Sequence, residues 1–130
     1  MSSKITENSL SVLNLMFEAF NRHDAKAVLD LMTEDCIFDA AAGPDVLGAR
    51  HEGPEAVRAA FERVWATFPD VRWDEVKHFS CGDRAVSEWI FRATCEDGSR
   101  IEVQGCDLFT LRDGKIAVKS AFRKDRPVQK

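Results

Sequence analysis

Apolar residues recur at helical spacing in the first half of the chain and at every second position in the second half. Val12, Leu13, Met16, Phe17 and Phe20 share one face of a first helix, with Thr6 or Ser9 as its cap and Asn21-Arg22-His23 at its end. Asp24 is placed to cap a short second helix, Ala25 to Met32, whose Val28, Leu29 and Met32 point inward and which Thr33-Glu34-Asp35 breaks. Cys36 to Ala40 reads as a short strand that opens into a loop of Ala, Gly and Pro running to about Gly53. Pro54 opens a third helix, where its missing N–H costs nothing. Val57, Phe61, Val64, Trp65 and Phe68 are the apolar stripe of that helix, and Pro69 ends it.

Beyond Pro69 the period changes to two. Strands are expected over Val71 to Phe79, Arg84 to Glu96 and Ile101 to Leu111, and a last one over Ile116 to Phe122. The dipeptides Gly82-Asp83, Asp97-Gly98 and Asp113-Gly114 supply the tight turns between them. Three helices followed by an antiparallel meander predict an α+β fold, with the helices covering one face of a curved sheet. The other face would show Ile90, Cys106, Leu108, Thr110, Ala117 and Ala121, which is less polar than a solvent face, so a two-fold homodimer through the sheets is expected.

One strand carries chemistry. Val103, Gly105, Asp107, Phe109 and Leu111 alternate onto one face, which puts a carboxylate in an apolar row. Burying an unpaired charge is costly, so Asp107 is the first candidate for acid/base work, with a structural hydrogen-bond acceptor as the plain alternative. His51, in the loop, and His78, on the first long strand, are candidates for a second proton carrier. His23 reads as a surface residue. The three histidines share no ligand spacing, so no metal is expected, nor any other cofactor. A pocket wall for an apolar or carbonyl-bearing small molecule would draw on Met16 and Phe20 from the first helix, Phe38, and Phe61 and Trp65 from the third helix. The later strands would add Trp89, Phe91, Phe109 and Phe122, with Trp65 and Trp89 the foremost candidates because an indole pairs a large ring with an N–H that needs a partner. Ser87 and Ser120 look inward on the same alternation.

Composition adds limits rather than chemistry. A chain of 130 residues is one domain, here taken as 1–130 with disordered ends at about 1–6 and 125–130. A net charge of -4 offers no basic field to nucleic acid, and the only basic cluster is Arg123-Lys124-Asp125-Arg126. Cys36, Cys81, Cys95 and Cys106 lie far apart with no CxxC, which suggests free thiols in a reducing cytoplasm. No apolar run is long enough to span a bilayer, and Met1-Ser2-Ser3-Lys4 lacks the apolar core of a signal peptide, so a cytoplasmic protein without membrane contact is expected.

Several short stretches carry a resemblance. Phe20-Asn21-Arg22-His23-Asp24, Glu34-Asp35-Cys36-Ile37-Phe38, Gly53-Pro54-Glu55-Ala56-Val57, and Asp107-Leu108-Phe109 with Asp113-Gly114-Lys115-Ile116 resemble the nuclear-transport-factor-two-like superfamily. Within it the chain is most similar to SnoaL-like polyketide cyclase and ketosteroid isomerase-like proteins, over about Leu10 to Arg123. The resemblance implies a cystatin-like, cone-shaped α+β barrel, a sheet curled around the N-terminal helices with an apolar pocket at its wide end. It puts Asp107 at the acid/base position of the cyclases. The isomerase base would fall at Ala40 and its tyrosine near Met16, in a chain without tyrosine. An epoxide hydrolase arginine would fall at Gly105. The cyclase-type reading, proton transfer through Asp107, therefore stands beside a non-catalytic binding module and a dimeric assembly protein of the same fold.

Overall fold

The computed structural model describes residues 2–130, with side chains from Asn8 onward. Its elements run α1 (Ser2–Asn21), α2 (Ala25–Asp30), β1 (Met32–Asp45), β2 (Gly48–Glu52), α3 (Pro54–Thr67), β3 (Arg72–Cys81), β4 (Arg84–Thr94), β5 (Arg100–Arg112) and β6 (Lys115–Arg123). Asp24 caps α2, its carboxylate accepting from the Ala27 N–H at 3.1 Å. Pro54 occupies the first turn of α3, and Phe68 ends that helix before Pro69. Ser9 lies inside α1 rather than at its cap, and the cap expected of Thr6 lies outside the described side chains, as does the disorder expected over about 1–6. At the other end Gln129 and Arg100 exchange two backbone hydrogen bonds of 2.7 Å, which tie the tail to β5.

The six strands form one sheet in the order β2-β1-β6-β5-β4-β3. Neighbours are antiparallel except β1 and β6, which run parallel. Two elements differ from the sequence reading. The second helix stops at Asp30, and Met32, expected on it, opens a 14-residue strand that takes in Thr33-Glu34-Asp35 and much of the expected loop. The rest of that loop holds β2, a short strand at the sheet edge. Ala- and Gly-rich sequence has little β preference of its own. Pairing with β2 supplies what this part of β1 lacks locally, while β6 pairs with Ile37 to Asp39.

The helices pack on one face of the sheet around Leu13, Met16, Phe20, Val28, Phe61, Phe91 and Phe109, all buried. No helix among the described residues is long and apolar enough to cross a membrane.

A β-bulge decides which residues of β6 reach that interior. Thr110 pairs with Val118 but Leu111 pairs with Ile116, so Ala117 is an extra residue on β6. Both Ile116 and Ala117 are buried, and beyond them the two faces exchange. Lys119 and Ala121 pair with Phe109 and Asp107 and face inward. Ser120 and Phe122 pair with Leu108 and Cys106 on the outer face, and Phe122 is 50% exposed. The inward placement expected of Ser120 and Phe122, and the outward one expected of Ala117 and Ala121, is corrected by this one residue.

Candidate functional site

Asp107 is fully buried, and both of its carboxylate oxygens are engaged. Oδ2 accepts from the Trp89 indole N–H at 2.9 Å and Oδ1 accepts from Lys119 Nζ at 3.0 Å. Each partner arrives by register. Asp107 stands on β5 between β4 and β6, and Lys119 on β6 lies diagonally across from it, beside Phe109. Trp89 on β4 pairs with Gly105, and its ring lies across that glycine. A Cβ at Gly105 would stand 2.5 Å from the indole ring and 2.4 Å from the Phe122 carbonyl. The missing side chain at Gly105 therefore lets the indole lie flat and reach Asp107 two residues further along.

Lys119 is 3% exposed at its side chain, as buried as its partner. Its ammonium lies 4.7 Å from the centre of the Phe20 ring and 5.1 Å from that of Phe38, positions in which a cation is attracted to the ring faces. This lysine is the residue that alternation along the sequence missed, because the bulge at Ala117 had to be known first.

Between α3, the β1–β2 hairpin and the inner face of the sheet lies a cavity of about 470 Å³. Lys119 reaches it, whereas Asp107 does not line it. Phe20, Phe38, Phe61, Trp89 and Phe91 line it, and the small side chains Ala40, Ala41, Ala42 and Ala49 leave the room. His51 lines the same cavity, its ring stacked on Phe38 at 5.8 Å. Phe38 pairs with His51 across to β2 and with Lys119 across to β6. Strands lie about 4.8 Å apart, so His51 and Lys119 stand about 10 Å from each other across the cavity floor.

The other expected site residues are elsewhere. His78 lies outside this cavity. Its Nε2–H donates to Asn14 Oδ1 at 3.0 Å and its Nδ1 accepts from the buried Ser87 hydroxyl at 2.7 Å, while burial lowers its pKa from 6.5. Met16 and Phe109 are core, and Phe109 packs edge-on to Phe17. Trp65 packs against Phe20 and Phe61 and stacks on His23 at 5.2 Å without lining the cavity. Its indole N–H has no partner among the described residues. His23, expected at the surface, is held by that stacking and by a 3.1 Å hydrogen bond to the Val71 carbonyl. Ala40 is cavity wall, and Asp39 beside it turns away, both its oxygens held by Arg50 at 2.9 Å. Among the described residues no cluster of three or more His, Cys, Asp or Glu side chains could hold a metal ion.

A second hollow, of about 460 Å³, lies between α1 and the turns at Gly82 and Gly114. Among the described residues its titratable lining groups are Asp83 and Asp113, both exposed and beside turn glycines.

Comparison with known proteins agrees with this architecture. A candidate polyketide cyclase from Xanthomonas campestris pv. campestris superposes with a TM-score of 0.82 at 21% identity, over 92% of this chain and 93% of that one. A nuclear-transport-factor-two-like protein of unknown function from Mesorhizobium loti is 30% identical, over 92% of this chain and 93% of that one, with a TM-score of 0.75. TerC, crystallised with polyporic acid, superposes with a TM-score of 0.77 at 18% identity, over 90% of this chain and 92% of that one. No curated protein matches the chain. The SnoaL-like domain matches residues 13–119, from the first buried leucine of α1 to the lysine at the cavity floor, and the chain belongs to the SnoaL-like family.

Proposed function

We propose that this SnoaL-like protein binds an apolar, carbonyl-bearing small molecule in the cavity and moves a proton on it, in the manner of a cyclase or isomerase. The single observation that carries this reading is the Lys119 ammonium at the floor of an aromatic cavity, held there by an aspartate that does not line the cavity. A buried ion pair is weak evidence for stability, since a well-packed apolar pair of similar volume often serves as well or better. The proposed proton transfer gives the cation a use beyond folding.

In this reading Lys119 takes the electrophile's place. His51 removes a proton from the carbon next to the carbonyl, the electron pair moves onto the carbonyl oxygen, and the Lys119 ammonium stabilises the resulting enolate. The proton then returns to a different carbon in an isomerisation. In a cyclisation the enolate carbon attacks a second carbonyl, whose oxygen takes the proton. Asp107 is a positioning residue. It holds Lys119 by one oxygen and Trp89 by the other, and acts on the substrate only through the lysine.

The test is exchange at carbon. Apolar ketones and 1,3-dicarbonyl compounds are incubated with the protein in deuterated water, and loss of the α-proton signal is followed by NMR. Lys119→Met should lower the exchange rate by about 10²–10³-fold and His51→Gln by about 10²–10⁴-fold. Exchange that survives both substitutions would remove the proposal. Binding without exchange would favour the non-catalytic binding module instead, which needs the same cavity and no proton transfer.

A further inference from the structure

The cavity has an unbalanced charge that the proton-transfer reading does not use. Among the described residues its titratable lining groups are His51, Arg63, Lys119 and Arg123, with no carboxylate, although acids outnumber bases 22 to 18 in the whole chain. Lys119 is neutralised by Asp107. Arg63 and Arg123 are not neutralised by anything among the described residues. Arg22, Arg50, Arg58, Arg72, Arg92 and Arg112 each hold a carboxylate within 4 Å. Arg84, Arg100 and Arg126 hold none either, but they do not line the cavity.

Both arginines are exposed, whereas Lys119 is buried, so they form the rim and the lysine the floor. Arg63 projects from α3, beside the wall residues Val64, Thr67 and Phe68. Arg123 ends β6, and its guanidinium lies 4.3 Å over the Phe91 ring, itself a cavity wall. Stacking on an aromatic face leaves the edge of a guanidinium, with its N–H fork, free for a planar anion.

We infer that the cavity takes an amphipathic organic acid, with the flat apolar body inside and one or two anionic oxygens, of a carboxylate or an ionised enol, held at the rim by Arg63 and Arg123. This rests on the cavity being a small-molecule pocket, and it adds the charge and the orientation of the occupant. The anionic end faces solvent and the arginines. The opposite end, which carries the carbonyl, approaches Lys119 and His51. The rim charge of two unpaired arginines in a chain of net charge -4 would also draw anionic ligands to this face in preference to the rest of the surface.

The experiment compares anthracene-9-carboxylate with its methyl ester, which share an apolar body and differ in charge. Binding is read by energy transfer from Trp73 and Trp89, both of which line the cavity. The carboxylate is expected to bind roughly tenfold or more tightly than the ester, as befits charge-assisted hydrogen bonds at a partly solvated rim. Arg63→Gln with Arg123→Gln should bring the carboxylate down to the affinity of the ester and leave the ester unchanged. Added salt should weaken the carboxylate alone. Equal binding of acid and ester, or a preference that survives the double substitution, overturns the inference while leaving the pocket intact. Binding of neither probe overturns both this inference and the reading of the cavity on which it rests.

Discussion

The Asp107–Lys119 pair makes a sharp prediction because, among the described residues, each group is the other's only charged partner in a buried place. Consider Asp107→Asn. The aspartate serves two donors, the Trp89 indole N–H and the Lys119 ammonium. A carboxamide has one acceptor oxygen and two donors of its own, so it can serve one of the two and turns an N–H₂ toward the other. The lysine is then a buried cation without a counter-charge. Removing one partner of a buried pair costs about 3–5 kcal/mol, equivalent to a fall of about 11–18 °C in Tm for a domain of this size. Lys119→Met leaves a buried carboxylate with only the indole to satisfy it and should cost a similar amount. In the double variant no charge remains, the carboxamide keeps Trp89 satisfied, and methionine fills the space among Phe20, Phe38 and Phe61. The remaining cost should be about 2 kcal/mol, that of one unpaired amide group. The coupling between the two sites is then about 4–8 kcal/mol. Guanidinium denaturation of the four proteins, followed by tryptophan fluorescence, measures it. Single variants within about 1 kcal/mol of the parent, or a double variant whose loss equals the sum of the two, would show that the pair is not the buried, mutually dependent unit described here.

Further outcomes are expected from the same geometry. Gly105→Ala places a Cβ against the indole ring of Trp89 and the Phe122 carbonyl and should cost about 2 kcal/mol or more by overpacking; a denaturation midpoint equal to that of the parent would mean that Trp89 does not need the glycine. Burial lowers the pKa of His78 from 6.5, so the unfolded chain binds the proton more readily. The stability from that site is present above 6.5 and declines as the pH falls below it, and His78→Gln should flatten the slope between about pH 7 and pH 5. An equally steep slope in the variant would assign it to other groups. Ala49→Phe should fill the cavity and abolish probe binding with the fold intact by circular dichroism, and undiminished binding would move the ligand elsewhere. Self-association through the outer sheet face, proposed from its partly covered Leu108 and half-exposed Phe122, predicts a dimer in sedimentation equilibrium that Phe122→Asp dissociates. A monomeric parent would dispose of it.

Local patterns and tertiary pairing divided the work unevenly along the chain. The helices were legible because their signals are local. The stripe from Val57 to Phe68, with Pro54 and Pro69 as its ends, and the Asp24 cap of α2 depend on residues within a turn or two. The hairpins from β3 to β6 were legible for the same reason, since Gly82, Gly98 and Gly114 adopt the positive φ that their turns require. Strand β2 and the length of β1 were not legible. Alanines and glycines from Ala40 to Gly48 have no strand preference, and only the chain's return into β2, which pairs Ala40 with Ala49 and Asp45 with Gly48, makes them sheet.

The candidate site shows the same division at the level of one residue. The apolar row on β5 was enough to single out Asp107 as a carboxylate that had to be reconciled with burial. Its partners were beyond reach of that pattern. Alternation read from Ile116 puts Val118, Ser120 and Phe122 inside and Lys119 in solvent. The extra residue at Ala117 reverses the assignment and delivers the ammonium to both the carboxylate and the cavity. A bulge forms where pairing with a neighbouring strand, across a distance in sequence, stabilises the slip more than a regular ladder would. The sequence by itself determined the helices, the hairpins and one buried acid. Only the tertiary structure decided that the acid serves a lysine and that the lysine faces the cavity, because the face of a strand is set by its partner and not by its own alternation.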